Sequence, residues 1–145
     1  MPHIKKTALV AYSAKQMYDL VEAIESYPEF LPWCKKTIVK SRSDSEIIAG
    51  ITMAVKGLEK SFHTQNPIVP GKSIEMHLLD GPFSQLDGRW EFQSLGETGC
   101  KVGLVMQFEI SNPLLRATLG PLFNHIMGTL VDAFVKRAGE VYDQR

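Results

Sequence analysis

This chain is short of the residues that usually carry chemistry. It has two cysteines in 145 residues. Cys34 and Cys100 lie far apart and outside any CxxC pattern, so reduced, structural thiols are expected rather than a disulfide framework or a redox motif. The four histidines, His3, His63, His77 and His125, are scattered with no HxxxH or HExxH, and no metal site is expected. There is no Walker loop and no GxGxxG, so phosphate cradling of the nucleotide-fold kind has no support. Net charge is missing too. The 16 basic residues balance 16 acidic ones, which argues against a chain that binds nucleic acid over its whole surface. No apolar run reaches membrane-spanning length and no signal peptide opens the sequence. The expected location is therefore the cytoplasm.

Signs of a second domain are equally scarce. A chain of 145 residues suits one domain over 1–145, and such a domain buries roughly 68–70% of its unfolded surface without disulfide or metal. Internal repeats, low-complexity segments and linkers are absent. The 44% hydrophobic and 22% charged residues fit a globular protein.

What the chain does have is one long amphipathic stretch, Pro113 to Tyr142. With Leu130 at the centre of a helical projection, Leu119, Phe123, Ile126, Met127, Ala133, Phe134 and Val141 fall within about 60° of it. Asn124, His125, Gly128, Asp132 and Lys136 fall on the far side. That pattern predicts a long helix with one apolar face. Asn112 is placed to cap it and Pro113 sits in its first turn. Pro121 removes a backbone donor and clashes with the carbonyl four residues back, so a kink or break is expected near Leu119–Pro121. Arg137 projects only about 20° from the apolar centre. A buried arginine needs a partner, so a salt bridge to an acid of the first helix or a nearby loop is expected, or else a polar anchor for a ligand oxygen.

Nearly everything before that stretch reads as strand. His3 to Tyr12 is the first. Ser13 then caps a helix to about Ser26, with Met17, Leu20, Val21 and Ile24 at helical spacing. Tyr27 to Cys34, YPEFLPWC, holds two prolines that prevent one continuous helix, and its apolar side chains must plug one end of the core or wall a pocket. Six strands follow: Trp33–Arg42, Glu46–Lys56, Lys60–Pro67, Ser73–Leu79, Gln85–Leu95 and Cys100–Ile110. Short turns between them imply an antiparallel meander with one covered face. Inward positions read Ile47, Ala49, Ile51, Met53 and Val55 in one strand, Leu86, Gly88, Trp90 and Phe92 in another, and Val102, Leu104, Met106, Phe108 and Ile110 in the last. A long apolar helix stripe needs such a surface as its partner.

The inward faces hold almost no acid, base or nucleophile. Cys34 has no histidine that the sequence places near it, and Asp87 and Glu91 alternate outward. An apolar binding cavity and an ordinary core share this inventory, and periodicity does not choose between them. The outward faces hold one basic group. Lys36, Lys40 and Arg42 share a face of the second strand on simple alternation, within a segment up to Arg42 that carries seven basic residues against four acids.

The element order of strand, helix, short turn, six strands and long helix resembles the helix-grip order of START-like domains, an α+β fold in which a curved antiparallel sheet of about seven strands wraps a C-terminal helix. Within that superfamily, SYPEFLPWC (Ser26 to Cys34), DGPFSQLDGRWEF (Asp80 to Phe92), VDAFVKRAGEVY (Val131 to Tyr142) and the opening PHIKKTALVAYSAKQMYDLV resemble the coenzyme Q-binding and RatA ribosome-association-toxin family over essentially the full chain. That resemblance implies two non-enzymatic activities. The first, taken as the leading expectation, is binding of ubiquinone or a related isoprenoid lipid between sheet and C-terminal helix, supporting respiration, with transient contact at the inner membrane. Its expected lining is Phe30, Trp33, Met53, Phe62, Met76, Phe83, Trp90, Phe92, Leu104, Met106, Phe108, Phe123, Met127, Leu130 and Phe134, with Arg137 as polar anchor. The alternative is binding of the large ribosomal subunit to block association with the small one, with an antitoxin as a further partner. Lys36, Lys40 and Arg42 would then meet rRNA phosphates, joined by Lys5 and Lys6 if those strands lie close. Polyketide cyclases resemble the chain at fold level only, and the missing acid–base residues argue against that chemistry.

Overall fold

The computed structural model describes residues 3–143. Its elements run β1 (His3–Val10), α1 (Ala14–Glu22), a 3₁₀ segment (Ile24–Glu29), β2 (Cys34–Arg42), β3 (Glu46–Val55), β4 (Leu58–Val69), β5 (Ser73–Asp80), β6 (Gln85–Leu95), β7 (Gly99–Glu109), α2 (Pro113–Gly128) and α3 (Leu130–Tyr142). The seven strands form one antiparallel sheet in the order β1-β7-β6-β5-β4-β3-β2. Only β1 is out of sequence order, closing against the last strand. Strict alternation puts Val102, Leu104, Met106 and Phe108 of β7 and Leu86, Trp90 and Phe92 of β6 on the helix side, all buried. One face of the sheet is thus dry and the other wet, as period-two patterning requires.

Local chemistry explains most of the ends. Ser13 closes a capping box: its hydroxyl accepts from the Gln16 N–H at 3.1 Å, and the Gln16 side-chain Oε1 accepts from the Ser13 N–H at 2.8 Å. The first helix stops at Glu22, short of the expected Ser26, and the chain tightens into the 3₁₀ segment. There Tyr27 turns inward and its hydroxyl donates to the Val21 carbonyl. The β3–β4 hairpin turns at Lys56 and Gly57, with φ of 51° and 80°. Two successive positive φ angles are what a tight right-twisted hairpin demands.

The helical stretch differs from expectation. It is two helices, and α2 runs through Pro121 without interruption. The carbonyl that Pro121 leaves without a donor belongs to Ala117, on an exposed turn open to solvent. The break lies at Thr129 instead. Its N–H reaches back to the Ile126 and Met127 carbonyls, and its hydroxyl donates to the Ile126 carbonyl at 2.9 Å. Gly128 before it and a side chain that competes for backbone carbonyls make this the weak point.

The second difference concerns the basic face. The β2–β3 register shifts between Val39 and Ser41, so that Ile38 pairs with Gly50 but Arg42 pairs with Ile47. The bulge inserts one residue and turns everything after it over. Lys36 stays on the outer face, whereas Arg42 joins the face of buried Ile47. There it clamps α1 and the 3₁₀ segment: Nε lies 2.7 Å from Glu22, and two guanidinium nitrogens lie 2.6 and 2.9 Å from the Glu25 carboxylate. The expected common face of Lys36, Lys40 and Arg42 therefore does not exist. Lys5 and Lys6 do not join Lys36 either, because β1 and β2 form opposite edges of the sheet.

Candidate functional site

The helix layer and the sheet meet with little room between them. Phe123 and Phe134 are buried to 0% and 1% exposure, Met127 and Leu130 to 3% and 7%. Phe134 stands edge-on to Tyr27, Phe30 and Trp90 at centroid distances of 5.4, 5.1 and 5.3 Å. A second aromatic group joins Phe123 to Phe83 and Phe108, each at 4.7 Å. What remains enclosed is a cavity of about 60 Å³. That is small against roughly 300–1,000 Å³ for ordinary ligand pockets.

Eight residues of the expected lining meet at this cavity: Trp33, Phe62, Met76, Trp90, Met106, Phe123, Met127 and Leu130. Phe30, Met53, Phe83, Phe92, Leu104, Phe108 and Phe134 do not line it. Arg137 does not line it either. Its guanidinium is held by Glu29 at 3.0 Å and Glu140 at 3.5 Å, and lies 5.0 Å from the centre of the Phe30 ring. It thus joins α3 to the end of the 3₁₀ segment and stacks on an aromatic face.

Two polar residues of the lining were not expected. Thr64 and Asn66 follow Phe62 at every second position of β4 and share its inward face, at 8% and 4% exposure. The Asn66 Oδ1 is buried with no hydrogen-bond partner. The period-two pattern that placed Phe62 also places them. Reading β4 as a carrier of one aromatic passed over the two polar positions behind it.

No three His, Cys, Asp or Glu side chains converge among the described residues. Burial pushes the Cys34 thiol up to about 11 and raises that of Cys100, which keeps both protonated and unreactive at neutral pH. The two outward histidines face different carboxylates as β4 and β5 pair. His63 meets Asp80 at 2.7 Å, and His77 lies 3.3 Å from Asp87 and 3.5 Å from Glu75.

The outer face carries the unabsorbed positive charge. Lys36 borders a cleft of about 370 Å³ across β2, β3 and β4, with Ile38, Gly50, Thr52, Ser61 and His63. Lys40 sits in the bulge, two residues along β2 from Ile38 and outside the cleft's lining. At the far edge, Lys5 and Lys6 share a smaller cleft of about 180 Å³ with Arg89, Glu91 and Lys101. A shallow groove of about 660 Å³ runs between the β3–β4 turn and α2, lined by Val55, Lys56, Leu58, Pro121, Leu122 and His125.

Comparison with known proteins places these features. The family model for polyketide cyclase / dehydrase and lipid transport proteins matches residues 10–135. The chain is 47% identical to the ribosome association toxin RatA of Pseudomonas aeruginosa, over 97% of each chain. The chain belongs to the RatA family. Its likeness to the RatA of Escherichia coli K12 is 39% identity over 100% of this chain and 92% of that one. The mitochondrial coenzyme Q-binding protein COQ10 homolog B of Xenopus laevis is more distant, at 25% identity over 97% of this RatA-family chain and 59% of its own length. Solved structures share the helix-grip, START-like fold. A START superfamily protein of Mycobacterium smegmatis has a TM-score of 0.74 at 22% identity, covering 97% of each chain. The Zhui aromatase/cyclase of Streptomyces sp. R1128 reaches 0.82 at 15% identity, covering 94% of this chain and 92% of that one. At such identity the likeness is one of fold and carries no activity.

Proposed function

We propose that this chain acts by binding the large ribosomal subunit and thereby blocks its association with the small subunit. The observation that carries the reading is the end-to-end identity of 47% with a protein named a ribosome association toxin. Two features of the molecule support it. The cavity lining holds no carboxylate, histidine or cysteine, which fits a chain that acts by occupying a surface rather than by catalysis. The outer face presents Lys36 and Lys40 with no acid in salt-bridge reach among the described residues, and free surface lysines are what rRNA phosphates attract. A toxin of this kind implies an antitoxin that relieves it. The test is a sucrose gradient of separated subunits with and without the purified chain. Excess protein is expected to leave subunits unassociated, and normal formation of assembled ribosomes at that excess defeats the reading.

A second reading, an apolar ligand such as ubiquinone or another isoprenoid lipid beneath α2 and α3, is favoured by the unpartnered Asn66 oxygen in an aromatic cavity. The unpartnered oxygen can accept from a hydroxyl, as the reduced quinol form would offer, whereas a quinone carbonyl, itself an acceptor, would not satisfy it. At about 60 Å³ the cavity admits no quinone ring as it stands, so binding requires the lining methionines Met76, Met106 and Met127 to repack. Carriage of such a lipid would bring the chain to the inner membrane surface. Organic extraction of protein purified from its native host, followed by titration with added quinone, tests it. No extracted lipid together with no uptake rejects it.

A further inference from the structure

The cleft on the outer face of β2, β3 and β4 is more specifically built than a basic patch needs to be. Its floor is Gly50. A Cβ there would meet the His63 ring at 2.4 and 2.6 Å, so the imidazole lies directly on the bare backbone. The ring is fixed from the other side by Asp80, 2.7 Å from Nδ1. A carboxylate only accepts, so Nδ1 carries the hydrogen, and in that Nδ1–H tautomer Nε2 lies over Gly50 as an acceptor. Beside it the Thr52 and Ser61 hydroxyls are 2.7 Å apart. One of them donates to the other and keeps its own lone pairs for the cleft. Ile38, 53% exposed, supplies an apolar edge, and Lys36 supplies the charge at the rim.

An acceptor nitrogen and hydroxyls beside a cation form a set that suits a sugar hydroxyl next to a phosphate. We infer that this cleft takes a ribose–phosphate unit of an RNA backbone, with Lys36 and Lys40 against phosphate and His63 Nε2 accepting from a ribose 2′-hydroxyl. The 2′-hydroxyl is the group by which a protein separates RNA from DNA. Gly50 lets the imidazole lie flat, and Asp80 selects the tautomer. The cationic pair gives affinity without sequence, and the histidine gives the choice of nucleic acid. The inference rests on the large-subunit reading for its biological partner but not for its chemistry.

The test uses the full chain in two assays. One is co-sedimentation with purified large subunits over a salt series. The other is anisotropy with one single-stranded RNA and the DNA of the same sequence. Lys36→Glu/Lys40→Glu is compared with a charge-matched control, Lys72→Glu/Lys136→Glu, on the β4–β5 turn and on α3. The cleft variant is expected to lower the salt slope of subunit binding by about one per lysine, and the control to leave it unchanged. Wild type is expected to prefer RNA, and His63→Phe to reduce that preference by about two- to tenfold, the worth of one hydrogen bond. Asp80→Ala, at an exposed side chain, removes the acceptor that holds Nδ1 and provides a second variant, expected to erode the same preference. If wild type binds subunits and both lysine pairs lower the slope equally, or neither does, the cleft is not the contact. If RNA and DNA bind alike, or His63→Phe keeps the preference, the ribose assignment is overturned. Failure of wild type to bind subunits at all refutes the large-subunit reading alone, since the RNA preference still decides the cleft.

Discussion

Asn66 gives the sharpest physical test. Its Oδ1 is buried without a partner on the inward face of β4, and the residue is 4% exposed. A buried acceptor that has lost water and gained nothing costs about 1–3 kcal/mol. Replacement by leucine, close in size, removes that cost and puts apolar atoms against Trp90, Phe62 and Leu86, which share the cavity. Asn66→Leu is therefore expected to stabilise the ligand-free chain by about 1–3 kcal/mol. Unfolding entropy for a chain of this length is on the order of 0.3 kcal/mol per kelvin near 60 °C, so the melting temperature should rise by roughly 3–10 °C. Urea titration followed by circular dichroism measures the first quantity and a calorimetric scan the second. An unchanged m-value shows that the unfolded state is not the cause. A lower midpoint for Asn66→Leu would refute the reasoning, because it means the oxygen is satisfied in solution by water held in the 60 Å³ space. A gain in stability would instead mark Asn66 as a group kept at a cost, the usual sign of a residue retained for binding.

Other outcomes follow from the same contacts. Arg42 holds the Glu25 carboxyl well below its usual range, to about 2, through charge-assisted hydrogen bonds. A depressed carboxylate contributes stability that is complete above its unfolded value of 4.5 and is lost as pH falls toward 2. Because Glu25 is 55% exposed, Arg42→Ala should cost only about 1 kcal/mol at neutral pH, and the gap from wild type should close between those two pH values in acid-dependent melts. Phe134→Ala removes a ring packed on Tyr27, Phe30 and Trp90 and should cost about 3–5 kcal/mol in urea titration; a loss under 1 kcal/mol would show that α3 is loosely seated. Cys34, pushed up to about 11 by burial, should resist iodoacetamide at pH 8 in the folded chain and react on unfolding, as read by mass spectrometry.

Much of this architecture was legible from periodicity. Seven strands with alternating faces, a capped first helix at Ser13 and an apolar helical face centred on Leu130 all follow from side-chain direction along a strand or a helix. Those are properties of a few neighbouring residues. The ends were less legible where local signals compete. Pro121 is the strongest breaker in the stretch, yet α2 tolerates it because its orphaned carbonyl faces water, and the break moves to Thr129. Arg42 was misplaced because a bulge is a property of two strands. Simple alternation along β2 contains no trace of the extra residue that its pairing with β3 imposes.

The sequence by itself determined the START-like order of elements and the apolar face of each strand and helix, and its motifs resemble those of the family that the comparisons show. Tertiary structure alone decided which charges stand together and how much space is enclosed. Lys5 and Lys36 are separated by the width of a sheet whose strand order no local pattern encodes. Arg42 left the outer face to bind Glu22 and Glu25. The cavity shrank to about 60 Å³ around Asn66. Volume and charge proximity depend on how distant surfaces interdigitate, and a core packed near crystal density leaves that to a sum over every side chain at once.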